Sequence, residues 1–119
     1  MILVDTSVWV NYLHSGSSRL EELLLEVEVV SHPFIIGELA SGGIKNRKEF
    51  ISLIQALPVT PVITDEEFMH FLESNKLFGI GVGFVDIHLL GSARMAQVLL
   101  WTEDKNLLKI AKDMRVSYV

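Results

Sequence analysis

Short apolar runs without a charge alternate along this chain with segments whose apolar residues recur at helical spacing. Ile2-Leu3-Val4 is an uninterrupted apolar triplet, Val29-Val30-Ser31 is a second short run, and Val98-Leu99-Leu100-Trp101 is the strongest. A strand that is apolar at consecutive positions buries both of its faces, as strands do in a parallel sheet covered by helices. After the first run, Thr6 or Asp5 caps a helix through Trp9, Tyr12 and Leu13. Ser17-Ser18 opens a second helix, with Leu20, Leu23, Leu24 and Val27 on one face and Glu21, Glu22, Glu26 and Glu28 on the other. Pro33 suits a first helical position, and its helix carries Ile35, Ile36, Glu38 and Leu39 before Gly42-Gly43 stops it. Asn46 to Leu57 reads as a further helix, and Pro58 to Ile63 as an extended connection with a short edge strand. Thr64-Asp-Glu-Glu67 is a capping box that opens a helix through Phe68, Phe71, Leu72 and Lys76. Gly79 to Gly83 reads as a loop, Phe84 to Met95 and Leu107 to Met114 as helices, and Val116 to Val119 as a last strand. Strands separated by helices predict an α/β domain, a three-layer α/β/α sandwich on a short parallel sheet.

A length of 119 residues predicts one domain over 1–119, large enough to hold a single core. The chain has no cysteine, which excludes disulfides, thiolate metal sites and a cysteine nucleophile. Ten Lys and Arg against fifteen Asp and Glu leave a formal charge of -5. Such a chain lacks the broad basic face that grips nucleic acid, so a phosphate substrate requires a metal ion or a small basic cluster. No apolar run has the length of a membrane span, and Met1-Ile-Leu-Val-Asp5 has no basic leader region. The expectation is a soluble cytoplasmic protein with no membrane partner.

Four acids sit in predominantly apolar surroundings. Asp5 ends the first strand, Glu38 lies within Ile35-Ile36-Gly37-Glu38-Leu39-Ala40, Asp86 within Gly83-Phe84-Val85-Asp86-Ile87, and Asp104 just after Val98 to Trp101. Ligands of open parallel sheets collect beyond the carboxyl ends of the strands, where Asp5 and Asp104 must lie. Asp86, near the start of its helix, can face the same rim. Carboxylates gathered in one pocket repel and raise each other's pKa unless a cation intervenes. Mg²⁺ or Mn²⁺, which prefer oxygen ligands, answer that need and activate water for attack on a phosphodiester.

Four segments in this order resemble the PIN-domain ribonucleases, specifically the VapC-type toxins of toxin–antitoxin systems. They are Val4-Asp5-Thr6-Ser7-Val8-Trp9, Gly37-Glu38-Leu39, Gly81 to Leu90 around Asp86, and Leu100-Trp101-Thr102-Glu103-Asp104-Lys105-Asn106-Leu107. The resemblance covers essentially the whole chain. It implies a PIN-like fold and assigns Asp5, Glu38, Asp86 and Asp104 to the family's catalytic and metal-binding acids, Asp5 and Asp86 being the firmest ligands. Thr6, Ser7 and Thr102 match supporting hydroxyl positions, and Asn11 a polar position on the first helix. The implied activity is endonucleolytic cleavage of single-stranded or loop RNA with Mg²⁺ or Mn²⁺, leaving a 5′-phosphate and a 3′-hydroxyl. The implied partners are RNA, a cognate antitoxin whose arginine pairs with the acids in place of metal, and a second copy in a homodimer. Glu103 stands where relatives often carry a basic residue. It is expected to face solvent and to weaken RNA binding locally.

Each acid also has a local alternative. Asp5 and Asp104 suit N-caps, and Asp86 complements a helix dipole. Glu38 resists that treatment, since a carboxylate among apolar neighbours needs a partner. The four histidines lack metal-ligand spacing and are expected at the surface or as caps, with no role for His88. Trp9, Tyr12, Phe34 and Phe50 are expected in the core, or in part along a partner groove. The basic run Lys45-Asn46-Arg47-Lys48 suits either a solvated helix start or a phosphate contact. Arg94, Lys105, Lys109 and Lys112 are further candidates for phosphate contact. An aspartate-nucleophile phosphatase needs a second acid two residues after the first, where Ser7 stands. A response-regulator receiver needs an acid mid-chain, and Phe50 to Thr64 has none. The non-enzymatic alternative is a catalytically silent PIN scaffold that only binds a partner.

Overall fold

The computed structural model describes residues 1–119. Strand β1 (Ile2–Val4) is the centre of a three-stranded parallel sheet, with β2 (Val29–Val30) on one side and β3 (Leu99–Trp101) on the other. Ile2 pairs with Val29 and Leu99, Leu3 with Val30 and Leu100, and Val4 with Trp101. All three residues of β1 are buried, and successive side chains point to opposite faces, so both faces of the sheet are covered. The helices are α1 (Thr6–Ser15), α2 (Ser18–Leu25), α3 (Pro33–Ala40), α4 (Arg47–Gln55), α5 (Asp65–Ser74), α6 (Phe84–Ala96) and α7 (Lys105–Asp113). Helix α3 packs on α1 and α4, and α6 packs on α5 and β3. Trp9 fills the space between α1 and α4, with its ring edge-on to Tyr12 and Phe50.

The expected alternation of strands and helices is present, with local differences. Pro58 to Ile63 and Val116 to Val119 contribute only single parallel bridges, Val59 to Ser31 and Ser117 to Leu100. Val27 does not join the apolar face of α2. The helix ends at Leu25, and Val27 takes a left-handed φ of 57° and lies exposed as the chain turns back into β2. The capping box at Thr64 is formed as the sequence predicts: Glu67 N–H donates to the Thr64 hydroxyl, and Thr64 N–H donates to the Glu67 carboxylate. Trp9 and Phe50 are core residues, Tyr12 is half-buried against the core, and Phe34 is half-buried against His32 and His88.

Of the histidines expected at the surface or as caps, His32 is a cap and His88 is neither, and both are buried. His88 sits among the rings of Phe34, Phe68 and Phe84, and its Nδ1 has no partner. His32 caps α3 from the interior: Phe34 N–H donates to its Nδ1 at 2.9 Å, so the ring proton sits on Nε2. That Nε2–H meets Ser92 Oγ at 3.1 Å, and the Ser92 hydroxyl donates to the Pro61 carbonyl at 3.0 Å. This buried relay ties α3, α6 and the 58–63 connection together. Burial, aided by nearby His88, pushes the His32 imidazole down to about 4. Protonating it also forfeits the acceptor that Phe34 N–H uses.

The unfolded chain therefore takes up the His32 proton near the ordinary value of about 6.5, and the folded chain only near about 4. Stability is full above that window and falls as pH drops through it. His32→Asn keeps an acceptor for Phe34 N–H and removes the titration. Thermal melts between pH 7 and 4 are expected to show a flatter acid limb in this variant. Its Tm at neutral pH should also fall, from loss of the Ser92 bond at a cost of about 1 kcal/mol. An acid limb as steep as that of the wild type would contradict this account.

Candidate active site

The parallel register sets the site. Pairing of Val4 with Trp101 continues one step further, as Asp5 N–H donates to the Trp101 carbonyl at 2.9 Å. Asp5 and Thr102 thus leave the carboxyl ends of neighbouring strands side by side, 7% and 3% exposed. Thr102 donates its hydroxyl to Asp5 Oδ2 at 2.8 Å, and Ser7 donates to the same oxygen at 2.8 Å. Each hydroxyl in turn accepts a backbone N–H from the loop entering α7. Asp104 N–H donates to Thr102 at 3.1 Å and Glu103 N–H donates to Ser7 at 3.1 Å. An N–H drawing on a hydroxyl oxygen makes its proton a better donor, so the two relays polarise toward one carboxylate oxygen. Asp5 Oδ1 accepts no hydrogen bond within the protein. Asp5 occupies the backbone N-cap position of α1 but makes no side-chain capping bond, so the alternative of a simple cap does not hold.

Glu38 departs from the sequence expectation. Gly37 and Glu38 lie on the exposed side of α3 rather than in an apolar enclosure. The carboxylate is held by a cross-element bond, Thr6 Oγ1 donating to Glu38 Oε1 at 2.8 Å, which joins the start of α1 to α3. Asp104 is a true N-cap, accepting Leu107 N–H at 3.0 Å with Oδ1. Asp86 stands in the first turn of α6, half-buried, with only a long 3.4 Å contact from Gly83 N–H. Asn11 donates to Glu103, both exposed, and so braces the loop before α7 rather than entering the acid group.

Charge joins these separate anchors. Burial pushes the Asp86 carboxyl above the usual carboxylate range. The Gly83 N–H works against that shift, and the negative charges of Asp5, Asp104 and Glu38 push it further up. All four acids named from the sequence therefore act on one neighbourhood. Neither ion pair of the chain involves any of them, since Met1 pairs with Glu28 and Arg19 with Glu22. As the side chains stand, no three acids or histidines close to metal-ligating distance around one point. The donor set is nonetheless that of a hard divalent cation: carboxylate oxygens with no sulfur or imidazole, negative charge without a cation, and an unused Oδ1 on the most rigidly held member.

A groove of about 480 Å³ opens beside this rim. Thr6 and Glu38 form its polar end, with Val10, Leu13, Leu39 and Ile44 along it. Val10 and Leu13, one turn apart on α1, are both exposed despite their hydrophobicity; Leu13 is expected on the first helix from the sequence, and its outward orientation is set by packing.

The PIN domain family model matches residues 2–113 of the chain. Ribonuclease VapC32 of Mycobacterium tuberculosis, from strain CDC 1551 / Oshkosh and from strain ATCC 25618 / H37Rv, is 45% identical over 108 residues, spanning 90% of this chain and 87% of the relative. With a parallel sheet whose carboxyl edge gathers Asp5, Glu38, Asp86 and Asp104 into one field, and with that degree of identity, the chain belongs to the PIN-domain family, among its VapC-type ribonucleases.

Proposed function

We propose that the chain is a divalent-metal-dependent endoribonuclease acting on single-stranded or loop RNA, and a toxin held in check by a cognate antitoxin. The observation that carries this reading is the buried Asp5 at the carboxyl edge of the sheet, held through Oδ2 by Ser7 and Thr102 with Oδ1 free, in a group of acids that no cation of the chain pairs. Asp5 and Asp86 would be the principal ligands of Mg²⁺ or Mn²⁺, with Asp104 and Glu38 completing the set. When bound, the ion would neutralise the acids and polarise both the phosphodiester and its attacking water.

The chain's own residues supply the rest. Ser7 and Thr102 hold Asp5 in one orientation through Oδ2 and leave Oδ1 for the ion. Asp86, whose carboxyl is already shifted upward, is the member whose ionisation depends most on a cation. Glu38, fixed by Thr6 at the groove end, is placed to orient water and accept its proton. The groove running from Glu38 past Val10, Leu13 and Ile44 supports an antitoxin seat, since an amphipathic or extended segment laid there brings a basic side chain within reach of the acids. A homodimer and a cytoplasmic setting belong to the same reading. A silent scaffold is the alternative, and the intact relay around Asp5 weighs against it, because a pure binding module has no need to orient a buried carboxylate.

Asp5→Asn and Asp86→Asn are each expected to lower RNA cleavage by at least about a hundredfold with the fold retained. EDTA should abolish wild-type cleavage, and Mg²⁺ or Mn²⁺ restore it. Cleavage by a folded Asp86→Asn variant, or cleavage indifferent to chelator, would contradict the mechanism.

Thr102→Val keeps the volume but removes one donor to Asp5 and the acceptor of Asp104 N–H. Activity is expected to drop about 10- to 100-fold, with a weaker apparent Mn²⁺ affinity. Unchanged metal titration curves would assign Thr102 a packing role only.

Asp86 generates a stability prediction. Its folded carboxyl binds its proton more tightly than in the unfolded chain, so stability falls as pH rises from the usual carboxylate range through the raised folded value. In metal-free protein Asp86→Asn should raise Tm at neutral pH, with the gain vanishing as pH drops below that range. A lower Tm at pH 7 would show that Asp86 is structural. Asp104→Asn should be near neutral, because Asn also caps.

A further inference from the structure

Outside the acid rim, the most ordered positive feature is the outer face of α7. Lys105, Lys109 and Lys112 fall at i, i+4 and i+7, within about 60° of arc on a helix of 3.6 residues per turn. Leu107 and Ala111 on the opposite side are buried, so the lysine stripe is set directly away from the core. All three lysines are exposed, and none takes part in an ion pair. The one acid within α7 is Asp113, exposed and one turn beyond Lys109, and it pairs with no lysine. In a chain of net charge -5, three free cations aligned on one face are an exception to the overall balance.

The stripe is also continuous with the site. Helix α7 starts at the carboxyl edge of the sheet, since β3 ends at Trp101 and Asp104 is the N-cap of α7. After α7 the chain returns parallel to β3, with Ser117 bridged to Leu100, so the helix runs from the acid rim back along the flank of the sheet. Lys105 to Lys112 covers about 10 Å of that path at 1.5 Å per residue. Lysines on flexible stems form point-charge contacts that follow an irregular chain and do not require fixed bidentate geometry.

We propose that Lys105, Lys109 and Lys112 form a phosphate track that carries the sugar–phosphate backbone of single-stranded RNA away from the acid rim. The track resolves the difficulty that a strongly acidic site must hold a polyanion: attraction is supplied on a neighbouring face, and the acids are left to the scissile phosphate. The inference rests on the ribonuclease reading for the identity of its ligand.

The test is the salt dependence of RNA binding. Full-length wild type, the single Lys→Gln variants, the triple Lys→Gln variant and the triple Lys→Arg variant are titrated with a fluorescein-labelled oligouridylate of about 12 nucleotides across KCl concentrations. The measurements are made in an Asp86→Asn background so that the probe survives. Each lysine that neutralises a phosphate should contribute about 0.7 to the slope of log Kd against log salt, and the triple Gln variant should lose about 2. At about 0.1 M salt that corresponds to an affinity loss of about a hundredfold. Lys→Arg should retain the slope, and a control variant at the exposed Lys76, Lys76→Gln, should lower it by far less than any track lysine. With Asp86 restored, the triple Gln variant should raise KM and leave kcat unchanged. An unaltered slope in the triple Gln variant, a loss in the Lys76 control equal to that of a single track lysine, or no binding of the probe by wild type overturns the track. Wild-type cleavage combined with an unaltered slope would sink the track and leave the ribonuclease reading standing. A reduced slope without any wild-type cleavage would do the reverse.

Discussion

Parallel pairing of β1 with β3 is the constraint from which the site follows. The register that sets Val4 against Trp101 places Asp5 beside Thr102 one residue later, at the edge where open parallel sheets collect ligands. From that point hydrogen bonds do the fine positioning. Two hydroxyls, each accepting a backbone N–H from the loop before α7, converge on one oxygen of Asp5. A buried carboxylate so oriented is expensive unless its charge is used, and the unshared Oδ1 is the outlet for that charge. The sheet's register and the site's chemistry are therefore one feature described at two scales.

The remaining acids reach the same neighbourhood by independent routes, each with its own local support. Glu38 hangs from α3 on a bond from Thr6, Asp104 is fixed as the cap of α7, and Asp86 lies in the first turn of α6 with a single weak backbone contact. That division explains why the burden falls on Asp86. The rigid members have donors, and the least supported member has its carboxyl pushed up, first by burial and then by the charges of the other three. Under the proposed reading a cation would relieve that repulsion and an antitoxin arginine would do so in competition, so catalysis and inhibition would meet one electrostatic demand.

Much of this was legible in the residues. Uninterrupted apolar runs at Ile2–Val4 and Leu99–Trp101 announce parallel strands, the first buried throughout and the second buried only at Leu100, and an acid soon after such a run lies at the carboxyl edge. The Thr64 box is a short-range device and forms as read. What sequence did not show depends on tertiary placement. Glu38 looks enclosed because its chain neighbours are apolar, yet on a helix those neighbours turn to other sides and Glu38 faces out. His88 and Asp86 share a helix but not a side of it, and only the packing of Phe34, Phe68 and Phe84 shows that the imidazole is internal. Val27 continues the helical pattern of α2 in sequence, but the chain must reverse there to deliver β2. Asn11 stands on the first helix as read, but its partner Glu103 lies far along the chain.

The central claim is that four carboxylates from four separate segments form one cation-completed cup. Anomalous diffraction from crystals of the wild-type protein soaked in Mn²⁺ tests it most directly. The account predicts a peak within bonding distance of Asp5 Oδ1 and the Asp86 carboxylate, with Asp104 or Glu38 drawn in. Manganese absent from that rim, or bound only elsewhere on the surface, would contradict it.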